Sequence, residues 1–322
     1  MTGPLLAIIG PTASGKSALA LAIARRCRGE ILSVDSMQIY RDMDVGTAKA
    51  TAQQRLEIKH HLIDVARPDE LFSVARFVEQ ADAVIAESKC PLVATGGTPL
   101  YFKALFAGLF AGPSADEAVR TRLRSLSGAE LHERLKRVDA AAAARIHVGD
   151  HKRLIRALEV YELTGKPISS LQSQWEASQP ARHPVVWVGL SRDREELNRR
   201  INARVREMIA AGWVEEVRAL VTKYPALSKT AAEATGYADL IEHVNGRIDL
   251  DQAVERIKIA TRQLARRQMK WFRRFQPVHW LDGRQPIELL VEQALRVWNG
   301  RKMGGLEIAP LLEPPPPLAD KA

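Results

Sequence analysis

The chain contains little cysteine: Cys27 and Cys90 are the two among its 322 residues. Two cysteines are too few for a disulfide framework or for a cysteine-rich metal site. A chain without such a framework is typical of a reducing compartment. We therefore expect a cytoplasmic protein in which both cysteines are structural.

The sequence also lacks a long apolar run. No run approaches the roughly 18 residues that a membrane span requires, so we expect no membrane partner. Because the first residues enter a core strand almost at once, we expect no cleaved signal peptide. A hydrophobic content of 46% and a charged content of 26% are typical of a globular protein. The length suffices for a sizeable core and for about two domains.

Negative charge is in short supply. Asp and Glu number 38 against 47 Lys and Arg, which leaves a net charge of +9. A basic chain suits a polyanionic partner, with nucleic acid as the first candidate. The charge alone also allows a basic surface that has no such partner.

The stretch at 5–17 carries a specific motif. Residues 5–9 are all apolar and predict a short buried strand, and residues 18–26 predict a helix. Between them, Gly-Pro-Thr-Ala-Ser-Gly-Lys-Ser at 10–17 fits G-x-x-x-x-G-K-[ST], the phosphate-binding loop. A strand before the loop and a helix after it are the context that this motif requires.

The residue types of this loop suit a diphosphate or triphosphate with Mg²⁺. Gly10 and Gly15 let the backbone bring its N–H groups close to phosphate oxygens, and the helix N-terminus adds partial positive charge. Lys16 reaches the outer phosphate, and the Ser17 hydroxyl holds the metal ion. An ordinary glycine turn is the alternative. The loop alone identifies neither the molecule that carries the phosphates nor the bond that breaks.

Strands that alternate with helices predict an α/β fold with a parallel, doubly wound sheet. The further predicted strands are residues 30–34, 60–64, 91–95, 185–190 and 278–282. Ligands of such sheets lie beyond the carboxyl ends of the strands. Asp35 and Thr98 stand at two of these ends, so we expect them beside the phosphate loop in one crevice.

The alternation stops in the middle of the chain. Residues 116–180 are rich in Ala, Arg, Glu and Leu and predict several helices. We therefore predict a helical domain at 116–180, inserted into a core made of residues 1–115 and 181–300. Residues 301–322 include four consecutive prolines and are predicted to form a disordered tail.

The predicted helix at 251–275 has a dense basic face, with Trp271 and Phe272 interleaved. Its basic residues are Arg256, Lys258, Arg262, Arg266, Arg267, Lys270, Arg273 and Arg274. Acidic residues are nearly absent after Glu255, which favours contacts with phosphate groups. A solvated helix face is the alternative.

Several stretches occur in one characteristic order. They are GPTASGKS at 10–17, DSMQIY at 35–40, GGTPLYFKAL at 96–105, PSAD at 113–116, KRLIRALEV at 152–160, INARVREMIAAGWVEEV at 201–217, TGYADL at 235–240 and ATRQLARRQMKWFRR at 260–274. Together they resemble the tRNA dimethylallyltransferases, also called tRNA isopentenyltransferases. The resemblance extends over about residues 4–300 and is far more specific than the phosphate loop alone.

The resemblance implies a fold, an activity and partners. The family has a P-loop-type α/β core with an inserted helical domain. It transfers a dimethylallyl group from its diphosphate to N6 of the adenosine just 3′ of the anticodon, position 37, and releases diphosphate. The implied cofactor is Mg²⁺, and the implied partners are dimethylallyl diphosphate and the anticodon stem-loop of tRNA. We expect a monomer.

The resemblance also implies catalytic roles. Asp35 takes the proton from adenine N6, Thr98 bonds the oxygen between carbon and phosphorus, and Arg204 adds positive charge at the diphosphate. For Asp35 a role in Mg²⁺ binding or helix capping is the alternative. Other arginines lie close to Arg204 in the sequence, namely Arg199, Arg200 and Arg206.

The implied binding residues form two sets. The diphosphate set is Gly10, Thr12, Ala13, Ser14, Gly15, Lys16 and Ser17, with Ser17 also the metal ligand. The tRNA set is Asp35, Ser36, Met37, Gln38, Thr98, Arg120, Lys152, Arg153 and Arg156, to which the basic helix adds Arg262 and Arg266. Gln38 is the predicted reader of the adenine edge, with a turn residue as the alternative. The family usually has Gln where this chain has Lys152, and lysine suits phosphate contact rather than base reading.

Two other functions share some of these features. A small-molecule kinase shares the phosphate loop and the fold, with Asp35 or Asp64 organising Mg²⁺, but it leaves the basic helix unexplained. A non-catalytic RNA-binding protein with a relict phosphate loop predicts binding without turnover. That second alternative is disfavoured by the intact catalytic and phosphate-binding positions, which are Lys16, Ser17, Asp35 and Thr98.

Overall fold

The computed structural model describes residues 3–109, 112–172 and 181–302. The chain divides into two compact units. One is made of the segments up to Phe106 and from His183 onward, and the other is Ala107–Arg182. The second unit is therefore inserted into the first, and the predicted helical domain at 116–180 lies within it. Residues 303–322 of the predicted tail lie outside the described residues.

The first unit is built on a sheet of six parallel strands. The strands are β1 Leu5–Ile9, β2 Glu30–Ser33, β3 His60–His61, β4 Leu92–Thr95, β5 Val185–Ser191 and β6 Val278–Asp282. Their order across the sheet is β3-β2-β4-β1-β5-β6. The parallel α/β sheet predicted from the alternation of strands and helices is confirmed.

The helices follow most of the predicted segments. In chain order they are α1 Lys16–Cys27, α2 Ala52–Glu57, α3 Val74–Glu87, α4 Pro99–Ala107, α5 Glu117–Arg124, α6 Gly128–Val138, α7 Ala140–Ala143, α8 His151–Thr164, α9 Ile168–Leu171, α10 Arg194–Ala210, α11 Trp213–Lys223, α12 Lys229–Ala232, α13 Tyr237–Val244, α14 Leu250–Phe272 and α15 Ile287–Lys302. Over the ranges that the structure describes, none is both long and apolar enough to cross a membrane.

β1 is covered on both faces, which explains its uninterrupted apolar sequence. Leu5, Ala7 and Ile9 pack into one hydrophobic cluster, and Leu6 and Ile8 pack into another. Side chains alternate along a strand, so a strand between two cores needs an apolar residue at every position. Helices α1 and α15 contribute to the second cluster, and α3, α4, α11, α13 and α14 contribute to the first.

The predicted strand at 60–64 is wrong beyond its first two residues. Only His60 and His61 pair with β2. Leu62 and Asp64 have positive φ angles of 59° and 60°, which take the backbone out of the extended region. Asp64 then accepts a hydrogen bond from Lys49 Nζ at 2.6 Å. A local pattern of apolar and polar residues does not reveal such backbone turns.

The inserted unit contains α5 to α9 and has a core of its own. Leu123 of α5, Leu131 and Leu135 of α6, and Leu154 and Leu158 of α8 are buried together. In α6 and in α8 the two leucines are four residues apart, which places them on one face of the helix. Up to Gln172, where the described part of this unit breaks off, the predicted helical character is present.

The strand order places a crevice at the end of β1. β1 lies between β4 and β5, so the chain passes to one side of β1 early and reaches its other side only after the insertion. Such a reversal opens a crevice at the carboxyl ends of the strands. Thr95 of β4 is in register with Ile8 of β1 and with Ser33 of β2. The loops that follow β1, β2 and β4 therefore begin side by side.

Candidate active site

The loop after β1 turns sharply and leads directly into α1. Gly15 precedes the helix with a φ of 104°, a conformation that glycine adopts at little cost. A Cβ at Gly10 would lie 2.8 Å from the carbonyl oxygen of Leu190 in β5, closer than real Cβ atoms approach. Both glycines of the motif thus meet a requirement of the backbone.

Two arginines hold this loop from outside. Arg192 Nε donates to the carbonyl oxygen of Ser14 at 2.9 Å, and Arg200 Nε donates to that of Ala13 at 2.9 Å. The Ser14 hydroxyl is buried and, in the described part of the chain, has no hydrogen-bond partner. Buried hydroxyls normally have a hydrogen-bond partner, so this one is an unsatisfied group within the loop.

Lys16 is a buried cation, 9% exposed, whose Nζ donates to the carbonyl oxygen of Pro11 at 3.2 Å. Burial and the positive charge of Arg204 lower the pKa of Lys16 from 10.5 to about 8, and the Asp35 carboxylate opposes this shift. A bound diphosphate would favour the charged form of the lysine. Lys16 is therefore suited to binding an anion.

Asp35 lies just beyond β2 and accepts two backbone hydrogen bonds. The N–H of Met37 donates to Oδ1 at 2.9 Å, and the N–H of Gly97 donates to Oδ2 at 3.1 Å. The first bond closes a local turn, and the second ties the carboxylate to the loop after β4. The structure thus brings Asp35 into contact with Gly97.

Thr98 makes a second link between the same two loops. Its Oγ1 accepts from the N–H of Ser36 at 2.9 Å and donates to Ser36 Oγ at 3.0 Å. To bond the oxygen of a leaving group, the hydroxyl hydrogen has to turn away from Ser36 Oγ. The catalytic role of Thr98 stays a prediction.

Both ends of the Gln38 amide have partners within the protein. Oε1 accepts from Ser33 Oγ at 2.9 Å, and Nε2 donates to the carbonyl oxygens of Thr47 and Ala48 at 3.3 and 3.4 Å. An adenine edge has to compete with these bonds. In this structure Gln38 holds the backbone at 47–48, and its role as a reader of adenine stays a prediction.

The segment before Thr47 is anchored by one carboxylate, that of Glu216 in α11. Its Oε2 accepts from the N–H groups of Asp44 and Val45, each at 2.6 Å. Its Oε1 accepts from the N–H of Gly46 at 3.1 Å. The backbone that bonds Gln38 is thus fixed from two sides.

Two cavities open beside Lys16. The inner one has a volume of about 140 Å³, and its polar lining includes Thr12, Lys16, Ser17, Asp35, Gln38, Thr95, Arg204 and Gln268. Its apolar lining includes Met37, Ile201, Val205, Met208, Trp213 and Leu264. The outer one has a volume of about 320 Å³ and is lined by Ala13, Gly15, Lys16, Ser17, Ala18, Arg200, Ala203, Arg204 and Glu207. Of the predicted diphosphate residues, Thr12, Ala13, Gly15, Lys16 and Ser17 line one or both cavities, whereas Gly10 and Ser14 line neither.

The cavities distinguish among the arginines of α10. Arg204 lines both of them and Arg200 lines the outer one, whereas Arg199 and Arg206 are exposed and line neither. Burial lowers the pKa of Arg204, while the charge of Asp35 opposes that shift. Among these four arginines, Arg204 is the one that lines both cavities, and its catalytic role stays a prediction.

The oxygen groups beside the phosphate loop fit a magnesium ion that arrives with a phosphate ligand. Ser17 is exposed at the start of α1, and it lines the inner cavity together with Asp35 and Thr95. The buried Thr95 hydroxyl has no hydrogen-bond partner among residues 3–109, 112–172 and 181–302. Mg²⁺ prefers oxygen ligands and keeps several waters or phosphate oxygens. Within the same ranges, no cluster of three or more His, Cys, Asp or Glu could hold a metal.

Part of the predicted basic face of α14 is paired with acidic residues. Arg256 lies 2.9 Å from Glu242 of α13, and Lys258 lies 2.6 Å from Glu255. Neither carboxylate comes after Glu255 in the chain: Glu242 reaches Arg256 because α13 packs beside α14, and Glu255 is three residues before Lys258 in α14 itself. The exposed basic residues farther along are Arg266, Arg267, Lys270 and Arg274.

The two residues of α14 that were predicted to bind tRNA differ in their surroundings. Arg266 is exposed. Arg262 is half-buried, and its guanidinium donates to Asn202 Oδ1 of α10 at 2.7 Å. Arg266 is therefore the more accessible of the two for a phosphate group.

In the inserted unit, Arg120 and Arg156 meet at a fully buried carboxylate, that of Glu159. Arg120 Nε donates to Oε1 at 2.8 Å, and Arg156 donates to Oε2 at 2.6 Å. Burial by itself raises the pKa of Glu159, but the hydrogen bonds from the two arginines outweigh it and the pKa is lowered. This cluster joins α5 to α8. A tRNA contact by either arginine stays a prediction.

The other two predicted tRNA residues of this unit are on its surface. The Arg153 side chain is 70% exposed and pairs with Asp150 at 2.7 Å, three residues before it in the chain. Lys152 is also exposed. Both lie in the first turn of α8 and are accessible to a large ligand.

Gln268 is a functional candidate that the sequence pattern did not reveal. It is 5% exposed, on the face of α14 that also carries buried Met269 and Phe272. Its Oε1 accepts from the N–H of Thr12 at 2.8 Å, and its Nε2 donates to the carbonyl oxygen of Gly97 at 2.7 Å. The available signal was a polar residue within an apolar stripe, where a buried amide must have partners.

Comparison with known families gives two matches. The family described as "IPP transferase" matches residues 38–275, and the family described as "Isopentenyl transferase" matches residues 3–67. The first of these matches spans well over half of the chain.

Individual relatives agree with these families. The tRNA dimethylallyltransferase of Acetivibrio thermocellus is 45% identical over 287 residues, which cover 86% of this chain and 91% of that protein. The tRNA dimethylallyltransferase of Geobacillus thermodenitrificans is 43% identical over 314 residues, which cover 94% of this chain and 98% of that protein.

Solved structures are also similar. The full-length tRNA isopentenylpyrophosphate transferase of Bacillus halodurans has a TM-score of 0.69 and 34% identity, with 94% of this chain and 99% of that chain covered. A eukaryotic dimethylallyltransferase acting on tRNA has a TM-score of 0.75 and 25% identity, with 88% of this chain and 74% of that chain covered.

Proposed function

This chain belongs to the tRNA dimethylallyltransferase family, and from that premise we propose that it transfers a dimethylallyl group to N6 of adenosine 37 in tRNA. We infer that dimethylallyl diphosphate is the donor and that diphosphate is released. The observation that carries the proposal is one cavity in which Lys16, Asp35 and Arg204 meet beside apolar side chains. That combination suits a substrate with a charged diphosphate and a small hydrocarbon group.

The acceptor side of the reaction needs a base. The lone pair of adenine N6 is delocalised into the ring, so the amine is a weak nucleophile, and a carboxylate that takes its proton promotes attack. We assign this role to Asp35. Two backbone N–H groups already fix its carboxylate, and this supports a base that is oriented before the substrate arrives.

The donor side needs stabilisation of a leaving diphosphate. When the bond between carbon and oxygen breaks, negative charge develops on the diphosphate, and fixed positive groups stabilise it. Lys16, Arg204 and the N–H groups of the phosphate loop supply this charge. Thr98 is assigned the oxygen between carbon and phosphorus. The proximity of Lys16 to Arg204, which helps lower the pKa of the lysine, supports an anionic ligand between them.

The diphosphate would bind with Mg²⁺. The Ser17 hydroxyl would hold the ion, together with phosphate oxygens and water. When bound, the ion supplies additional positive charge at the leaving group.

The hydrocarbon and the base need apolar surroundings. Ile201, Val205, Met208, Trp213 and Leu264 line the inner cavity and offer a surface of that kind. Adenosine 37 must leave its stack to enter the cavity, as the target bases of other nucleic-acid enzymes do. Arg266 and its exposed neighbours on α14 and Arg153 on the inserted unit are assigned to the phosphates of the anticodon stem-loop. We propose a cytoplasmic monomer.

Transfer to one adenosine is the test of this function. The protein is incubated with Mg²⁺, dimethylallyl diphosphate and an unmodified anticodon stem-loop, and the RNA is analysed by mass spectrometry. We expect a gain of one dimethylallyl group, and no gain when guanosine replaces adenosine 37. No gain on the adenosine substrate, together with consumption of ATP on a small hydroxylated acceptor, would favour a kinase instead.

A further inference from the structure

One side chain joins the loop that carries Lys16 to the loop that contacts Asp35. Gln268 accepts from the N–H of Thr12 at 2.8 Å and donates to the carbonyl oxygen of Gly97 at 2.7 Å. A backbone N–H can only donate and a carbonyl oxygen can only accept, so the two partners fix the orientation of the amide. The amide bridges two loops that are far apart in the sequence.

The connection continues from Gly97 to Asp35. The N–H of Gly97 donates to Asp35 Oδ2 at 3.1 Å. A Cβ at Gly97 would lie 2.8 Å from Gln268 Nε2 and 3.0 Å from Asp35 Oδ2, so the glycine is enclosed between these two side chains. Any displacement of Gly97 therefore moves a hydrogen-bond donor of the carboxylate.

We propose that Gln268 is a positioning residue for Asp35. It sets the position of the carboxylate relative to the diphosphate site, because one end of its amide bonds the phosphate loop and the other end bonds Gly97. The inference rests on the proposed function, in which Asp35 takes the proton and the phosphate loop binds the leaving group. Gln268 itself takes no part in proton transfer.

The chemistry of the two bonds explains why an amide occupies this buried position. The side chain must accept a hydrogen bond at one end and donate one at the other. A carboxylate has no donor, lysine and arginine have no acceptor, and methionine offers no N–H or O–H donor and only a weak acceptor. A buried polar group that is satisfied at both ends holds one arrangement of its neighbours, which an apolar side chain cannot do.

The first experiment removes the hydrogen bond from Gln268 to Gly97 in two different ways. Gln268→Glu keeps the size of the side chain and the acceptor for Thr12, and at a pH where the new carboxyl is ionised it loses the donor for Gly97. Gln268→Met keeps the approximate length of the side chain. Like the Glu variant it has no donor for Gly97, and its thioether is only a weak acceptor for Thr12. We expect both variants to lower the single-turnover rate of transfer by about 10-fold to 100-fold, because small misplacements of reacting groups have effects of that size. The Kd for the stem-loop should change by less than about twofold, because contacts with the RNA outside the cavity carry most of the affinity.

The matched control is Gln53→Met, the same substitution at an exposed position on α2. Its rate should equal that of the wild type. Near-ultraviolet circular dichroism and thermal melting identify any variant that fails to fold. Gln268→Glu is nearly isosteric with glutamine, so it tests the proposal even if Gln268→Met unfolds.

The second experiment asks whether the effect passes through Asp35. In an Asp35→Asn background, adding Gln268→Glu should lower the remaining slow rate by less than about threefold, because residues that act as a unit are not additive. If Gln268→Glu lowers the transfer rate in that background by the same factor as in the wild-type background, the proposal is overturned. A wild-type transfer rate in the single variant Gln268→Glu would also overturn it. If the wild-type protein itself transfers no dimethylallyl group, the proposed function fails before Gln268 is tested.

Discussion

At the scale of single residues, Lys16 is the group whose charge the site alters most clearly. Burial and the neighbouring Arg204 lower the pKa of Lys16 to about 8, so part of the unliganded protein holds a neutral amine at mildly alkaline pH. A diphosphate prefers the ammonium form. Binding of the donor and protonation of Lys16 are therefore linked.

This linkage predicts a pH dependence of donor binding. The KM for dimethylallyl diphosphate should be nearly constant below about pH 8, near the pKa of Lys16. Above that pH it should rise, approaching about tenfold per pH unit, because the neutral lysine must first take up a proton. Initial rates at saturating stem-loop, measured from neutral to alkaline pH, test this.

The control is Lys16→Arg, whose guanidinium stays charged over this range. Its KM is expected to be higher at neutral pH but to lack the alkaline rise. The same rise in both proteins would show that another group controls donor binding.

At the scale of elements, the inserted unit gives two arginines of α8 different surroundings. Both were predicted from the sequence to contact tRNA. Arg156 is bonded to the buried Glu159 carboxylate and to the carbonyl oxygen of Pro113 at 2.8 Å. Arg153 is on the surface and pairs with Asp150. A loss of tRNA binding on substitution of Arg156 can therefore reflect a damaged unit rather than a lost phosphate contact.

We predict that the two alanine variants affect different quantities, the free energy of unfolding for Arg156 and tRNA binding for Arg153. Arg156→Ala should lower the free energy of unfolding by about 2 kcal/mol, because it leaves a buried carboxylate with a single arginine. Arg153→Ala should change the free energy of unfolding by less than about 0.5 kcal/mol and weaken tRNA binding. Urea denaturation and stem-loop titration of both variants give the two quantities. Equal stability of the two variants would argue against a structural role for the Glu159 cluster.

The elements also show what sequence could predict. β1, the phosphate loop and α1 follow from rules that act within a few residues, namely an uninterrupted apolar run, the φ angles open to glycine and the partial positive charge of a helix N-terminus. The contacts of Gln268 with residues 171 and 256 positions away have no local pattern. The same holds for the bonds of Glu216 to the backbone at 44–46. The early end of β3 depends on positive φ angles at Leu62 and Asp64, which no apolar pattern indicates.

At the scale of the whole molecule, the net charge is +9, but not every basic residue is available to bind RNA phosphates. Arg266, Arg267 and Lys270 are exposed along α14. Arg256 on the same helix is paired with Glu242. Counting basic residues in the sequence therefore overstates how many can neutralise RNA phosphates.

This difference predicts how salt affects tRNA binding. Affinity should fall as salt rises, and Arg266→Ala should make the slope of log K against log salt shallower by about 0.7 to 1, the contribution of one phosphate contact. Arg256→Ala should leave the slope nearly unchanged, because its side chain is already paired. Fluorescence anisotropy of a labelled stem-loop at several salt concentrations measures both slopes. Equal changes in the two slopes would mean that pairing does not limit these contacts.

The most direct test of the site concerns Asp35 itself. Asp35→Asn keeps the size of the side chain but removes the carboxylate that takes the proton from N6. The single-turnover rate of dimethylallyl transfer should fall by at least about 100-fold, in the range of general-base effects. The Kd for the stem-loop, measured in parallel, should stay within about threefold of the wild-type value, because other contacts carry the affinity. A wild-type rate in Asp35→Asn would contradict the assignment of Asp35 as the base.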